Sequence, residues 1–166
     1  MAADMGRVVN GIHIESGQGA LDEVAALFRA YAAFLSIDLS RQGFAAELAG
    51  LPGDYAPPRG TLLIARGDDG AALGCVALRP LPDGSGEIKR MYVSDAARGR
   101  GVGRALLIAV LDAARAAGYR QVKLDTLAHL TTAQALYRRF GFVPIAPYAP
   151  PVFEGQVFYA KALDAE

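Results

Sequence analysis

Glu87-Ile-Lys-Arg-Met-Tyr-Val93-Ser-Asp-Ala-Ala-Arg98-Gly-Arg-Gly101-Val-Gly103-Arg-Ala-Leu-Leu107 runs from a strand pattern through a glycine-rich turn straight into an amphipathic helix. Val102, Leu106, Val110, Ala113 and Ala117 supply the apolar stripe of that helix, and Gly118 can close it in the left-handed conformation. The first N–H groups of a helix have no intrahelical partner, and glycines, lacking a Cβ, let an anion come close to them. The stretch therefore predicts a phosphate site at Arg98 to Gly103, set between a strand and a helix of about four turns, a length that suits a crossover.

Working outward, Ile12 to Glu15 alternates as a short strand, and Leu21, Val24, Phe28, Tyr31 and Leu35 recur at helical spacing behind Asp22 and Glu23. Phe44 to Leu51 reads as a second short helix closed by Pro52-Gly53. Thr61 to Arg66 and Leu73 to Leu78 flank Gly67-Asp-Asp-Gly70, which predicts an antiparallel hairpin, and Pro80 to Gly86 turns back into the strand that carries Glu87. Beyond the long helix, Gln121 to Thr126 is a strand. Thr131 and Gln134 have the spacing of a capping box for a helix whose Ala133, Leu136, Tyr137 and Phe140 share one face, so Tyr137 points inward. Val143 to Leu163 breaks around a proline-rich loop and ends in a last strand. The order predicts a single α/β (α+β) domain over residues 1–166, a mixed, mostly antiparallel sheet of six to seven strands with about four helices on its faces.

Composition removes several function classes. Seventeen basic and seventeen acidic residues cancel among 166, so the electrostatic footprint of a non-specific nucleic-acid binder is missing. No apolar run reaches signal-peptide or membrane-span length, and the expectation is a cytoplasmic protein without a membrane partner. The single cysteine, Cys75, lies in a strand pattern and reads as a small buried apolar residue, since one cysteine forms no internal disulfide.

Two familiar phosphate loops fail against the sequence. A Walker A loop needs lysine and then serine or threonine after its last glycine, and Gly103 is followed by Arg104-Ala105. The dinucleotide fingerprint finds two of its three glycines in Gly101 and Gly103 and an acid, Asp125, at the end of the next strand, but Leu106 replaces the third glycine and the preceding strands read as antiparallel. Arg98-Gly-Arg-Gly101-Val-Gly103 instead resembles the R/Q-x-x-G-x-G/A signature of the GNAT superfamily, the acyl-CoA-dependent N-acetyltransferases. Upstream, Glu87 to Val93 looks like that family's fourth strand. Downstream, Ala133-Gln-Ala-Leu-Tyr137-Arg-Arg-Phe-Gly141-Phe142 is similar to its A-x-x-L-Y-x-x-x-G-F helix and turn. The likeness covers residues 87 to 142; the first 85 agree in element order only.

The resemblance implies acetyl-CoA as co-substrate, with no metal, and a sheet splayed between its fourth and fifth strands. It places the pyrophosphate over Arg98, Gly99, Arg100, Gly101, Val102, Gly103 and Arg104, and the pantetheine along the backbone of Met91, Tyr92 and Val93. It assigns Glu87 to deprotonation of the acceptor amine, commonly through water, and Tyr137 to protonation of the departing thiolate. Strand alternation puts Lys89 and Met91 on the face of Glu87 and Arg90 and Tyr92 on the other, so a Lys89–Glu87 pair would lower the basicity of that carboxylate. Where the family often has a coenzyme-contacting asparagine, seven residues before the tyrosine, this chain has Leu130. Either Thr132 or His129 substitutes, or one polar contact is absent.

Two aromatic-bearing segments, Phe34 to Tyr55 and the loop with Tyr148 and Phe153, are candidates to close over an acceptor. With no dominant charge cluster there, a small primary amine or amino acid is the expected acceptor. A binding module that holds acyl-CoA without turnover, and a transferase of another acyl group, stay open beside the acetyltransferase, and a homodimer is compatible with the sequence.

Overall fold

The computed structural model describes residues 7–164. An eight-stranded sheet forms its middle, in the order β1-β2-β3-β4-β5-β6-β8-β7. Strands β1 (Arg7–Val9), β2 (Ile12–Ser16), β3 (Thr61–Arg66), β4 (Ala72–Pro80) and β5 (Gly86–Val93) are joined by antiparallel pairings; β6 (Gln121–Leu127) lies parallel to β5, and β8 (Gln156–Ala162) runs antiparallel between β6 and β7 (Val143–Ile145). Eight strands replace the six to seven expected. The addition is β1, which turns into β2 at Asn10-Gly11 with both residues at positive φ, 51° and 76°, as a two-residue hairpin turn requires.

Helix α1 (Leu21–Leu35) covers one face of the sheet. Its Val24, Leu27 and Phe28 pack with Leu62, Ile64, Cys75 and Ala77, and the short helix α2 (Phe44–Ala49) joins them through Phe44 and Leu48. Helix α3 (Val102–Ala116) covers the other face, burying Leu106, Leu107 and Val110 against Val76, Leu78, Ile88, Val122 and Leu124. It ends as its sequence suggests, with Gly118 at φ 88° and a last-turn Arg115 near the carbonyl end. Because β5, α3 and β6 form the one parallel crossover among the described strands, α3 is obliged to begin at the end of β5 that carries Val93.

Helix α4 (Thr131–Arg139) packs Tyr137 inward against Phe142 and Tyr159, at ring-centroid distances of 5.7 and 6.4 Å. The expected capping box is not made. Thr131 lies inside the helix, and Gln134 is drawn away, donating to the carbonyls of Leu127 and Ala128 and accepting from the Tyr159 hydroxyl. Gln134 thereby ties α4 to the end of β6 and to β8, a tertiary use that outcompetes the local one. Among the described residues no helix is long and apolar enough to cross a membrane.

Candidate active site

Strands β5 and β6 pair only at Gly86–Val122 and Glu87–Lys123. Beyond those pairs they part, although β5 runs on to Val93 and β6 to Leu127, and the wedge between them is a cleft lined by Ile88 to Met91, Leu124 to Leu127 and Tyr137. This is the splay expected between the fourth and fifth strands, which β1 renumbers as β5 and β6. The edge it leaves on β5 carries unpaired backbone. Ser94 N–H donates to Leu73 O at 2.8 Å, so the neighbouring Val93–Gly74 pair is of the non-hydrogen-bonded kind, and Val93 turns its N–H and C=O toward the open side.

A bulge decides which side chains face which way. Cys75 pairs with Tyr92 and Ala77 with Lys89, so Arg90 and Met91 together oppose Val76, and Arg90 takes a left-handed φ of 58°. One extra residue reverses the alternation that follows it. Met91, expected on the face of Glu87 and Lys89, turns with Val93 to the α3 face, where a Cβ added to Gly103 would lie 3.6 and 3.7 Å from their side chains. Tyr92 turns to α1, its ring 6.1 Å from those of Tyr31 and Phe34. The expected Lys89–Glu87 pair is also corrected: Lys89 reaches across the wedge to Asp125 at 3.7 Å.

Glu87, 3 % exposed, is held from two other directions. Arg79 Nε donates to one carboxylate oxygen at 2.8 Å and the Tyr148 hydroxyl to the other at 2.7 Å. Burial, and then the charge of Glu87, push the Tyr148 phenol well above its ordinary range, which keeps it a donor. Arg90 is clamped by Glu47 of α2 through two hydrogen bonds of 2.8 and 3.0 Å. Burial opposes ionisation of Glu47, but the Arg90 hydrogen bonds and charge outweigh it and hold the carboxyl below its usual value.

At the other end of the cleft lies the glycine turn. Gly99 and Gly101 have φ of 79° and 82°, and Gly101 caps α3 without any side-chain hydrogen bond. Among the described residues the amides of Gly99 to Arg104 make no hydrogen bond; Ala105 is the first to donate, to Gly101 O. Val102 is buried and anchors the turn, whereas Arg98, Arg100 and Arg104 are exposed around it. Arg98 pairs with Asp95 and lies 4.2 Å over the Phe34 ring, and Arg104 lies 5.9 Å over Phe140. A row of unpartnered amides ringed by guanidinium groups is an anion cradle.

Tyr137 is buried, lines the cleft, and its hydroxyl has no hydrogen-bond partner among the described residues. Burial raises its pKa above the ordinary 10.0, with Tyr31 and Asp125 adding to the effect. Thr132 and His129, near the start of α4, are both exposed and outside the cleft lining. Cys75 is buried, its thiol directed to Arg90 O at 3.3 Å and pushed up by burial. The two aromatic segments do come together: Phe153 of the β7–β8 loop, Leu35 at the end of α1, and Ile37 and Leu39 after it line the same cleft. Arg79, Tyr31 and Asp125 belong to the site as well. Alternation on β4 and β6 places Arg79 and Asp125 on the acceptor-side face, but their partners follow from strand register alone.

A profile of the acetyltransferase (GNAT) family matches residues 24–142. The chain belongs to the GNAT family. It is 39% identical over 129 residues to an uncharacterized N-acetyltransferase of Schizosaccharomyces pombe, covering 77% of this chain and 79% of the relative. The fold is shared with a GNAT acetyltransferase from Staphylococcus aureus, at a TM-score of 0.75 and 21% identity over 92% of this chain and 99% of the other. A GNAT acetyltransferase from Elizabethkingia anophelis, solved with acetyl-CoA bound, superposes with a TM-score of 0.68 at 21% identity, covering 93% of this chain and all of its own. The α/β fold of this GNAT chain is thus shared with these two acetyltransferases.

Proposed function

We propose that this GNAT protein transfers an acetyl group from acetyl-CoA to the primary amine of a small molecule or amino acid, by direct attack of the amine on the thioester. The observation that carries the reading is a cleft lined by Tyr137, with its free hydroxyl, between strands that leave unpaired backbone on β5, the strand that leads into the unpartnered amides at the start of α3. These residues fit the cofactor. The amides of Gly99 to Arg104 suit a pyrophosphate, with Arg98, Arg100 and Arg104 adding charge, and the β5 edge at Met91 to Val93 suits the amides of pantetheine, much as an added strand would. Thr132 and His129, both exposed near the start of α4, are the two candidates for a further polar contact.

When bound, acetyl-CoA supplies an activated acyl thioester whose sulfur must leave as a thiol. Tyr137, kept protonated by burial, donates its phenolic proton to that sulfur. Glu87, held by Arg79 and Tyr148, accepts through water the proton that the amine sheds as its bond to carbon forms. A second reading, a module that binds acyl-CoA without turnover, is favoured by one observation, the engagement of both Glu87 oxygens within the protein.

Thiol release from acetyl-CoA over a panel of amino acids, polyamines and aminoglycosides, beside calorimetric binding of acetyl-CoA, separates the two. Acceptor-dependent release is the expected result. Tight binding with no release from any amine would favour the binding module.

A further inference from the structure

Three ion pairs, each joining a buried side chain to a partly buried one, lie on the α1–α2 face of this site, and they differ in one respect. Arg79–Glu87 and Arg90–Glu47 are closed, each at 2.8 Å with hydrogen bonds made. Lys89–Asp125 is open: its charges stand 3.7 Å apart, too far for a hydrogen bond, and among the described residues neither side chain makes one. Lys89 is 8 % exposed and lines the cleft, so its ammonium is withdrawn from water without the hydrogen bonds that normally offset such burial. The pair also bridges the two strands that part, two residues beyond their last pairing, so it spans the narrow end of the wedge, which Tyr137 also lines.

We propose that Lys89 and Asp125 form the recognition site for an α-amino acid acceptor, Lys89 taking its carboxylate and Asp125 its ammonium. The proposal rests on the reading of this cleft as an acyltransferase site. An α-amino acid carries its two charges on one carbon, and a loosely separated pair of opposite charges is their complement; the ligand supplies to each side chain the charge-assisted hydrogen bonds the protein leaves unmade. Arg90, next to Lys89, donates two hydrogen bonds to Glu47, so its charge is already compensated, whereas Lys89, among the described residues, has no hydrogen bond to give up before it takes a carboxylate. The wall facing the pair is apolar, made by Leu35, Ile37, Leu39 and Phe153, with the Tyr31 ring at its edge. That wall selects an apolar side chain.

The test uses matched acceptors: leucine against 3-methylbutylamine, and phenylalanine against 2-phenylethylamine, which differ only in the carboxylate. With the unaltered protein, kcat/KM for the amino acid should exceed that for its amine by roughly 10- to 100-fold, the worth of hydrogen bonds to a charged group. Lys89→Met should erase that ratio by raising KM for the amino acid, while KM for the amine stays where it was, and Lys89→Arg should keep much of it. Equal or better use of the amines by the unaltered protein, or an undiminished ratio in Lys89→Met, overturns the acceptor assignment and leaves the transferase standing. No thiol release with either member of any pair overturns both.

Discussion

The Tyr148 hydroxyl donates to Glu87 at 2.7 Å, tying the loop between β7 and β8 to the point where β5 and β6 begin to separate. That loop also carries Phe153 into the cleft, so one hydrogen bond couples the proposed base to the wall over the acceptor. Tyr148→Phe should therefore lower kcat/KM for the acceptor by about tenfold, the value of one hydrogen bond to a charged group, and leave acetyl-CoA affinity as it was. Steady-state kinetics with both substrates varied reads the two effects separately.

Glu87→Gln keeps the shape of the side chain and removes its capacity to take a proton. Turnover should fall by roughly a hundredfold while the calorimetric Kd for acetyl-CoA stays as it was. Undiminished kcat in Glu87→Gln would assign the base to an ordered water or to another group.

Tyr137→Phe should lower kcat by roughly a hundredfold or more and leave the calorimetric Kd for acetyl-CoA nearly intact, because only the proton donor is lost. The pH dependence has a definite sign. An acid works in its protonated form, and burial raises this phenol above the ordinary 10.0, so no decline in kcat below pH 10 should arise from Tyr137.

Much of this architecture follows from local sequence. The glycine turn, the stripe of α3 and the inward Tyr137 each rest on contacts within one or two elements, and each is where its pattern predicts. The β1–β2 hairpin was readable too, since Asn10-Gly11 between Val8-Val9 and Ile12 is strong turn chemistry, yet three residues made a short pattern to recognise as a strand. The bulge at Arg90 was not readable. No glycine or proline marks it, and Arg90 adopts its left-handed φ because the clamp from Glu47 and the pairing of β4 on both sides hold it there. Met91, Tyr92 and Val93, which follow that residue, change face. The Lys89–Glu87 pair gave way to Arg79–Glu87 and Lys89–Asp125 for a different reason: Arg79 lies directly across from Glu87 in the β4–β5 register, and Lys89 and Asp125 each lie two residues beyond the last β5–β6 pair. Such pairings depend on strand register, information that a single strand does not contain.

The Glu47–Arg90 clamp supports a prediction about stability. Arg90 is 5 % exposed, and Glu47→Gln removes the carboxylate that takes two hydrogen bonds from its buried guanidinium, which should cost about 3 kcal/mol. The native carboxyl is depressed below its ordinary 4.5, so its contribution is fully present above pH 4.5 and is lost as pH falls through the native value. Urea titrations should show the gap between the two proteins wide at pH 7 and narrowing below pH 4.5.

Gly101 sits at φ 82° as the cap of α3, a conformation that costs an L-residue about 1–2 kcal/mol. Nothing lies within 4 Å of a Cβ built there, so Gly101→Glu projects its charge into open space beside the unpartnered amides. The fold should survive, as circular dichroism would show, and calorimetric acetyl-CoA binding should fall at least about a hundredfold through repulsion of the phosphates and loss of the left-handed turn.

The most direct measurement is mass-spectrometric detection of the acylated amine, quantified against free thiol in the same reaction with acetyl-CoA and an amine acceptor. Transfer predicts one N-acetylated product for each thiol released, and neither in comparable amount from Tyr137→Phe. Thiol appearing without acylated amine, or acetyl-CoA bound and left intact in the presence of every amine tried, would contradict it.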